Sequence, residues 1–402
     1  MKQRLLIVGA GMATAYLLQQ LDQQIHDYCI TVVGDEEDVC YNRVLLSNLL
    51  AGENSEDDLH MLQAMERVQF IPGSRITDLG TTARIAFSEN GESFPYDKLV
   101  LATGSSVARP DTDGTELKGS MVFRSLADAR ELHTLETCGK RAVVIGAGLL
   151  GLEAAHGLVK LGFETCVVHR NPVIMNRQLD SEGGSHLQQE LEAKGIAFRL
   201  SSSLKEIRAN DGRVSAIELD DGSVEVCDLL LFASGIVPNV QLARRGGIDA
   251  DRGILVDAYL RTSKPGVFAL GECCEFGQQG FGLVAPIRRQ AEVLARYLCD
   301  TPTSGFAIED YPTQLKISGV DIYRAGELDS DAEQIVLRDS ASGLYRRLVV
   351  RDNRLVGAVL VGDKRGGTWY SELIREGCDI SALRNSLIYG KEVAEAQLGA
   401  AA

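Results

Sequence analysis

Two glycine-rich stretches carry the residue types and spacing best suited to chemistry in this sequence. The first, RLLIVGAGMATAYLLQQL, contains Gly9 and Gly11, and the second, KRAVVIGAGLLGLEAAHGLVKLG, contains Gly146, Gly148 and Gly151. In each, an apolar run ends at the glycines and helix-forming residues follow, which is the context of a dinucleotide-binding turn. The first glycine allows the tight turn, the second lets a pyrophosphate approach the backbone, and the helix N-terminus attracts the anion. Each stretch therefore predicts a dinucleotide site.

The elements that position these glycines are a strand before each turn and a helix after it. We expect Met12 and Leu149, which directly follow the second glycine of each turn, to be among the residues that bind the dinucleotides. Thr14 occupies the third glycine position of the first turn, so strand and helix must pack there around a β-branched side chain. Ordinary glycine-rich turns without a ligand are the other interpretation.

The strands that follow the two turns end differently. CITVVG leads to Asp35 and Glu36, and a carboxylate at this place holds a ribose hydroxyl in dinucleotide sites. An exposed acidic turn is the alternative, and the choice between the two acids stays open. FETCVV leads to His169 and Arg170, and Arg170 suits either a 2′-phosphate or a surface position against adenine.

Bulk composition limits the classes of function. The chain has 402 residues, of which 45% are hydrophobic and 24% charged, as in a globular protein of two or three domains. Its net charge of −15 argues against nucleic-acid binding, which needs clustered cations. We expect no membrane segment, because no apolar run approaches the ~20 residues that span a bilayer, and no signal peptide. The nine cysteines are scattered without a metal-binding spacing, which predicts no metal site, free thiols and a cytoplasmic location.

Three further strands end in small or acidic residues. They are YDKLVLATGS, ending at Ala102, Thr103 and Gly104; DLLLFASGIVPN, ending at Ser234 and Gly235; and GVFALGECCEF, which delivers Gly271 and Glu272 to a loop. In this order with the two turns, they resemble the two-dinucleotide flavoprotein superfamily of pyridine-nucleotide reductases over about residues 1–300. The resemblance implies an α/β fold in which a Rossmann-like FAD domain is interrupted by an inserted Rossmann-like NAD(P) domain. It also implies that Thr103 and Glu272 contact FAD, and that Ala102, Gly104, Gly235 and Gly271 are cofactor-binding residues.

Other segments resemble a subgroup of that superfamily. YNRVLLSNLLAGE, RQLD, GLVAP, LKISGVDIYRAGE, RLVGAVLVGD and LIREGCDI are similar to the flavoprotein portion of assimilatory NAD(P)H nitrite and nitrate reductases, up to about residue 390. The ferredoxin- and rubredoxin-reductase branch shares Tyr41, Arg43 and Ser47. The resemblance implies NADH as coenzyme, with NADPH not excluded. It implies that FAD contacts Arg43 and Ser47 and lies close to Val284 and Pro286.

Glu153 lies two residues past the second glycine turn, at a place where members of the superfamily carry an acid near the nicotinamide. An exposed helix glutamate is the other interpretation. No side chain need act as acid or base, since the flavin carries the chemistry.

Cys40, in CYNRVLLSN, is a candidate sulfur relay. Members of the superfamily place a reactive cysteine eight residues later, where this chain has Asn48, and the CxxxxC pair of the disulfide reductases is absent from this segment. Cys273 and Cys274 are adjacent, and a vicinal disulfide would be strained. We therefore predict that Cys40 fills space and that electrons do not pass through sulfur.

These interpretations give a domain plan and three functions. We predict an FAD-binding domain over 1–110 and 246–309, an NAD(P)H-binding domain over 111–245, and a small α+β domain over 310–402. The leading function is a flavoprotein that takes hydride from NADH and passes electrons to an iron–sulfur or molybdenum-containing nitrate or nitrite reductase subunit. The alternatives are a rubredoxin or ferredoxin reductase, and a non-catalytic nucleotide-binding flavoprotein.

Cations near the third domain predict a docking surface for an acidic iron–sulfur partner, since a chain of net charge −15 otherwise repels acidic carriers. A solvated hairpin is the other interpretation. The residues are Arg288, Arg289, Arg346, Arg347, Arg351, Arg354, Lys364 and Arg365.

Overall fold

A computed structural model describes residues 2–401, apart from residues 64, 66, 310, 316, 318, 329, 330 and 340. The predicted boundary at residue 310 and two positions of LKISGVDIYRAGE lie outside the described residues. The strands within the described residues are β1 (Gln3–Val8), β2 (Tyr28–Val33), β3 (Val68–Ile71), β4 (Ile76–Gly80), β5 (Ile85–Ser88), β6 (Ser93–Pro95), β7 (Lys98–Leu101), β8 (Ser105–Val107), β9 (Ser120–Val122), β10 (Arg141–Ile145), β11 (Glu164–His169), β12 (Ile196–Leu200), β13 (Leu204–Asn210), β14 (Arg213–Leu219), β15 (Val224–Val226), β16 (Leu229–Phe232), β17 (Ile236–Pro238), β18 (Ile254–Leu255), β19 (Val267–Ala269), β20 (Cys274–Phe276), β21 (Gln279–Gly280), β22 (Thr313–Gln314), β23 (Ile322–Gly326), β24 (Glu333–Asp339), β25 (Leu344–Arg351) and β26 (Arg354–Val361).

Helices connect and cover these strands. The α-helices of the described part are α1 (Met12–Asp22), α2 (Leu46–Leu50), α3 (Leu126–Thr134), α4 (Leu149–Leu161), α5 (Ser181–Ala193), α6 (Gln241–Arg245), α7 (Val284–Leu298), α8 (Gly367–Glu376) and α9 (Lys391–Ala401). Short 3₁₀ helices span Arg43–Leu45, Asp57–Leu59 and Leu387–Tyr389. A helix follows each glycine turn, as predicted: α1 begins at Met12 and α4 at Leu149.

The first glycine turn follows the central strand of a parallel sheet with the order β19-β7-β1-β2-β3. From β1 the chain moves to β2 on one side, and later to β7 on the other. A ligand crevice opens outside the carboxyl ends of the strands at such a switch point. The buried residues of β1, Leu5 to Val8, pack in one large apolar core with α1 and α7.

The second glycine turn repeats this arrangement. Its sheet has the order β12-β11-β10-β16-β9, with parallel pairing throughout, and β10 lies at the centre. The switch point lies between β10 and β16, so a second crevice opens where Ile145 and Phe232 end their strands. A small antiparallel sheet, β13-β14-β15, packs beside it.

Two short strands link the parts of the chain that carry these sheets. Strand β8 leaves the first sheet region and β17 returns to it, and they pair in antiparallel register from Ser105↔Pro238 to Val107↔Ile236. Ala108 donates a backbone hydrogen bond to Gly235 at 2.9 Å, which extends this pairing.

The last part of the chain forms an antiparallel sheet, β22-β23-β26-β25-β24, covered by α8. The predicted hairpin is present, with Asp352 and Asn353 at its turn at φ values of 50° and 56°. Both residues adopt the left-handed conformation that a two-residue hairpin turn needs. Tyr323, Leu348, Leu360 and Tyr370 belong to the core of this part.

Together these sheets confirm the predicted fold class: two Rossmann-like parallel sheets, the second inserted between parts of the first, and a small α+β unit. The domain boundaries given above stay a prediction.

Candidate functional site

The first glycine turn is shaped by a close approach of two strands. Gly9 has φ +107°, and a Cβ there would overlap the carbonyl oxygen of Ala102. Gly11 differs, because a Cβ there would meet only the Arg43 guanidinium, at 3.9 Å. Thr14 is buried at the third position, and its hydroxyl donates to the carbonyl oxygen of Gly9 at 2.5 Å. The hydroxyl therefore replaces the close helix–strand contact of a glycine, and the Gly11 backbone stays open to a ligand.

A cavity of about 420 Å³ opens beside this turn, lined by Val8, Gly9, Val33, Asp35, Ser74, Arg75, Ile76, Thr77, Glu89, Thr103, Asn239, Gln241, Leu242 and Arg245. Asp35 is exposed and lines the cavity. Glu36 does not line it. Instead its carboxylate accepts a hydrogen bond from the Tyr41 hydroxyl at 2.6 Å and pairs with Arg43. Of the two acids left open by the sequence, Asp35 is the one placed to meet a ligand in this cavity.

Arg43 connects the first glycine turn to the segment between β9 and α3. One guanidinium nitrogen pairs with Glu36, while Nη1 donates to the carbonyl oxygen of Arg124 at 3.1 Å. The Tyr41 ring lies 4.9 Å from the Arg43 guanidinium carbon, and the Tyr41 hydroxyl accepts from the backbone N–H of Leu126. Arg43 is thus held rigidly beside Gly11, where an anionic group would approach.

Glu272 lies in a polar cluster that sequence reasoning found only in part. Gly271 has φ +89°, and its N–H donates to Gln290 Oε1 at 2.8 Å. The Glu272 carboxylate accepts from Ser105 Oγ at 2.8 Å and pairs with the Arg124 guanidinium. Sequence reasoning missed Arg124. Its sequence signal is an arginine directly before the helix-capping sequence SLAD, whose capping box the structure contains.

The second glycine turn has the complete three-glycine form. Gly146 has φ +118°, and a Cβ there would lie 2.5 Å from the carbonyl oxygen of Ala233. A Cβ at Gly151 would overlap the carbonyl oxygen of Gly146, whereas at Gly148 nothing lies within 4 Å. The first and third glycines are required by packing. Gly148 leaves room for a ligand beside the N-terminus of α4.

Glu153 connects the two sites. It is only 6% exposed, which rules out the exposed-glutamate interpretation, and Ser47 Oγ donates to its Oε2 at 3.1 Å. Ser47 lies on α2 and Glu153 on α4, and these helices pack against each other. The structure thus brings a residue expected near the flavin and one expected near the nicotinamide into direct contact.

The strand ends at Thr103 and Gly235 lie where the chain passes between the two sheets. Thr103 Oγ1 donates to the carbonyl oxygen of Asn239 at 2.8 Å, and Asn239 Nδ2 donates to that of Thr103 at 2.8 Å. Gly104 and Gly235 adopt positive φ values of 63° and 120° beside the paired strands β8 and β17. These residues fix the crossover between the two crevices.

Val284 and Pro286 lie in the first turn of α7, which packs along α1 of the first glycine turn. Pro286 is buried there, and Arg288 lies over the Tyr16 ring of α1 at 4.8 Å.

His169 and Arg170 follow the second turn. Ala147, between Gly146 and Gly148, donates its N–H to His169 Nδ1 at 3.3 Å. His169 Nε2 lies 3.3 Å from Asn176 Oδ1. Burial is the largest effect on the pKa of His169 and lowers it, so the ring is neutral at neutral pH. Arg170 is exposed next to it.

The thiols near the first turn are not reactive. Cys40 is 3% exposed, and burial raises its pKa to about 12, so it stays protonated at neutral pH. Cys273 and Cys274 are buried, and burial raises the pKa of both. All nine cysteines are free. Across the described part of the chain, no group of three or more His, Cys, Asp or Glu side chains is arranged to hold a metal ion.

The predicted arginine docking surface is wrong at its centre. Arg346 and Arg347 are 5% and 4% exposed. They are neighbours on β25 and point to opposite faces of the sheet, because side chains alternate along a strand. Arg346 donates to the carbonyl oxygen of Ile388 at 2.8 Å, and Arg347 pairs with Asp180 at 2.6 Å. Since both faces are covered, neither arginine is available to a partner.

Comparison with known proteins places these features in a family. The family model described as pyridine nucleotide-disulphide oxidoreductase matches residues 3–291, and that of the rubredoxin NAD⁺ reductase C-terminal domain matches residues 312–378. The chain is 36% identical to a nitrite reductase [NAD(P)H] of Bacillus subtilis over 94% of this chain and 48% of that protein. It is 34% identical to the assimilatory nitrate reductase electron transfer subunit of the same organism, over 96% and 51%.

The chain therefore spans about half the length of these curated relatives. A crystal structure of a covalent putidaredoxin reductase–putidaredoxin complex has the same fold, with a TM-score of 0.85, 21% identity, and coverage of 99% of this chain and 98% of that one. Among the described residues, no helix has the length and apolar character needed to cross a membrane.

Proposed function

Because the chain belongs to the pyridine nucleotide-disulphide oxidoreductase family, we propose that it is the electron-transfer flavoprotein of an assimilatory nitrate or nitrite reductase system. It is an oxidoreductase that uses FAD and NAD(P)H. The acceptor in this proposal is an iron–sulfur or molybdenum-containing reductase subunit. Two glycine turns, each open at its second glycine, carry the proposal, because they make room for two dinucleotides.

The residues present fit both groups. Gly11 and Gly148 each leave the space that a pyrophosphate needs, next to the N-termini of α1 and α4. For FAD we propose that Asp35 holds the ribose and that Arg43 lies at the pyrophosphate. We also propose that Glu272, which pairs with Arg124, contacts the flavin. For NAD(P)H the proposed contacts come from Gly146, Gly148 and Gly151, with Glu153 near the nicotinamide.

A bound flavin supplies the hydride chemistry, and the protein supplies orientation. The Ser47–Glu153 hydrogen bond fixes the distance between the two sites, because it joins α2, which follows β2 of the first sheet, to α4, which follows β10 of the second sheet. The protonated Cys40 thiol supports direct delivery of electrons to an acceptor in preference to a sulfur relay.

A second acceptor class has specific support. The C-terminal match to the rubredoxin NAD⁺ reductase domain favours rubredoxin or ferredoxin as an alternative partner. We place the protein in the cytoplasm, because nine free thiols suit a reducing compartment.

The test is acceptor-dependent turnover under anaerobic conditions. We expect the purified protein to be yellow, to bleach when NAD(P)H is added, and to regain colour when the reductase subunit that copurifies with it is supplied. Rubredoxin or ferredoxin as the better acceptor would shift the proposal to the alternative partner. A folded protein that binds no FAD, or that binds it without oxidising either coenzyme, would overturn the proposal and favour a non-catalytic flavoprotein.

A further inference from the structure

The Arg124–Glu272 ion pair joins the two parts of the chain that carry the parallel sheets. Glu272 follows β19, an edge strand of the first sheet, and Arg124 follows β9, an edge strand of the second sheet. Ser105, at the start of β8, contacts both of them: its Oγ donates to Glu272 Oε2 at 2.8 Å and accepts from Arg124 Nη2 at 2.9 Å. The carboxylate, the hydroxyl and the guanidinium therefore contact one another in a closed triangle.

The backbone of Arg124 is held on both sides. Its N–H donates to Asp128 Oδ2 at 2.8 Å, next to the capping box of α3, and its carbonyl oxygen accepts from Arg43 Nη1 at 3.1 Å. Arg43 in turn lies beside Gly11 of the first glycine turn. The protein alone thus sets the position of the Arg124 guanidinium, as a preorganised binding site requires.

Glu272 needs this cation because its carboxylate is largely removed from water. Both side chains of the pair are 18% exposed, and within the described residues Arg124 is the cation in ion-pair contact with Glu272. Arg43, the other arginine of this site, pairs with Glu36. A partly buried carboxylate that loses its cation is strongly destabilised. FAD carries two negative charges on its pyrophosphate, so an unneutralised carboxylate in the flavin site would also repel the cofactor.

We propose that Arg124 is a positioning residue of the flavin site, which acts by neutralising and orienting Glu272. The inference rests on the proposed function, since it takes Glu272 to contact the flavin. It deepens that function in one respect: the inserted part of the chain, which carries the second glycine turn, also supplies a side chain that the FAD site needs. FAD binding is therefore coupled to the packing of the inserted part against the first sheet.

The experiment is a double-substitution cycle that measures FAD affinity. The FAD-loaded protein is diluted serially, and the released FAD is measured by its fluorescence to give Kd. Arg124→Gln should raise Kd at least about tenfold, because it leaves Glu272 as an unpaired anion beside the cofactor. In the Glu272→Gln protein the same substitution should change Kd by less than about threefold, because no anion is left to neutralise. Arg124→Lys, which keeps the positive charge, should regain most of the affinity that Arg124→Gln loses.

Arg109→Gln is the matched control. Arg109 lies in the segment between β8 and β9, its side chain is 32% exposed, and it pairs with Glu116 at 2.6 Å. This substitution should leave Kd unchanged.

Four outcomes would overturn the proposal. They are an unchanged Kd in Arg124→Gln, an equal effect of Arg124→Gln with and without Glu272→Gln, an affinity in Arg124→Lys as low as in Arg124→Gln, and a double variant that does not fold. Each would mean that Arg124 acts in some way other than by neutralising Glu272. The proposed function survives them as long as the unmodified protein binds FAD and passes electrons from NAD(P)H to the acceptor. Failure of the unmodified protein to bind FAD is the separate failure of the proposed function.

Discussion

At the scale of single residues, the glycines of the second turn are required for different reasons although they belong to one motif. Gly151 is enclosed by backbone, because a Cβ there would overlap the Gly146 carbonyl oxygen. Gly148 faces open space. The spacing of the glycines predicts the motif. Only the packing around each glycine shows that Gly151 is required by the fold and that Gly148 leaves space for a ligand.

Substituting each of these glycines by alanine should therefore give opposite results. Gly148→Ala should leave the melting temperature unchanged and raise KM for the nicotinamide coenzyme by about tenfold, since the methyl group fills the approach of the pyrophosphate. Gly151→Ala should lower the free energy of unfolding by about 1–3 kcal/mol. Thermal unfolding and steady-state kinetics on both variants test this. A melting temperature lowered equally in the two variants would contradict it.

Cys40 provides a second test at this scale. Its thiol is buried and protonated, so Cys40→Ser should leave turnover per bound flavin unchanged. Stability should fall by about 1–3 kcal/mol if the new hydroxyl finds no hydrogen-bond partner. Flavin content and acceptor reduction are measured on the same preparation. A large loss of turnover at full flavin content would restore the sulfur relay.

At the scale of elements, strand β25 shows where sequence reasoning fails. LYRRLVVR has two adjacent arginines, and a surface hairpin is the ordinary prediction for them. The structure covers both faces of the strand, one by Ile388 and Tyr370, the other by Asp180 and its helix α5. Contacts between segments more than 160 residues apart leave no local pattern, so the sequence predicts the strand and the hairpin but not the burial of Arg347.

Arg347→Ala should be strongly destabilising, because it leaves the partly buried Asp180 carboxylate without its cation. We expect a loss of about 3 kcal/mol in the free energy of unfolding, from chemical denaturation. Arg351→Ala is the control, since the Arg351–Glu327 pair is 43% and 51% exposed and should contribute at most about 1 kcal/mol. Equal effects of the two substitutions would show that the Arg347–Asp180 pair does not stabilise the packing of the third sheet against α5.

At the scale of the whole molecule, the order of the motifs was enough to predict two Rossmann-like sheets, the insertion and the antiparallel third unit. Within the candidate site, the sequence singled out both turns and Glu272 and left the choice between Asp35 and Glu36 open, and the roles of these residues toward a ligand stay predictions. Arg124 was missed and the role of Arg346 and Arg347 was wrong, because each depends on which distant elements meet. A sequence pattern reports strand–turn–helix units well, since their hydrogen bonds are local, and reports contacts between units poorly.

One junction between units should make stability depend on pH. His156 lies on α4, next to Gly157, which packs against Leu50 of α2. Both ring nitrogens of His156 are buried without a hydrogen-bond partner in the described residues. Burial lowers the pKa of His156 from 6.5; Lys160 and Lys194 lower it further, and Glu53 opposes them.

The sign of the effect follows from the lowered pKa. The folded protein binds this proton more weakly than the unfolded chain, so the stabilisation is fully present above pH ~6.5 and is lost as pH falls through the folded pKa. Melting temperatures measured from pH 8 to pH 5 should fall less in His156→Leu than in the unmodified protein. Parallel curves for the two proteins would show that His156 does not contribute to the acid sensitivity.

The pairing of β8 with β17 brings the two ends of the inserted segment side by side, with Val107 opposite Ile236 and Ala108 bonded to Gly235. The segment between positions 108 and 235 therefore leaves and rejoins the rest of the chain at one short ladder of three residue pairs. A homologous segment grafted between these positions would meet the same ladder. It would also need an acid at position 153 for Ser47, an arginine at position 124 for Glu272, and an acid at position 180 for Arg347, because these side chains form further contacts between the segment and its host.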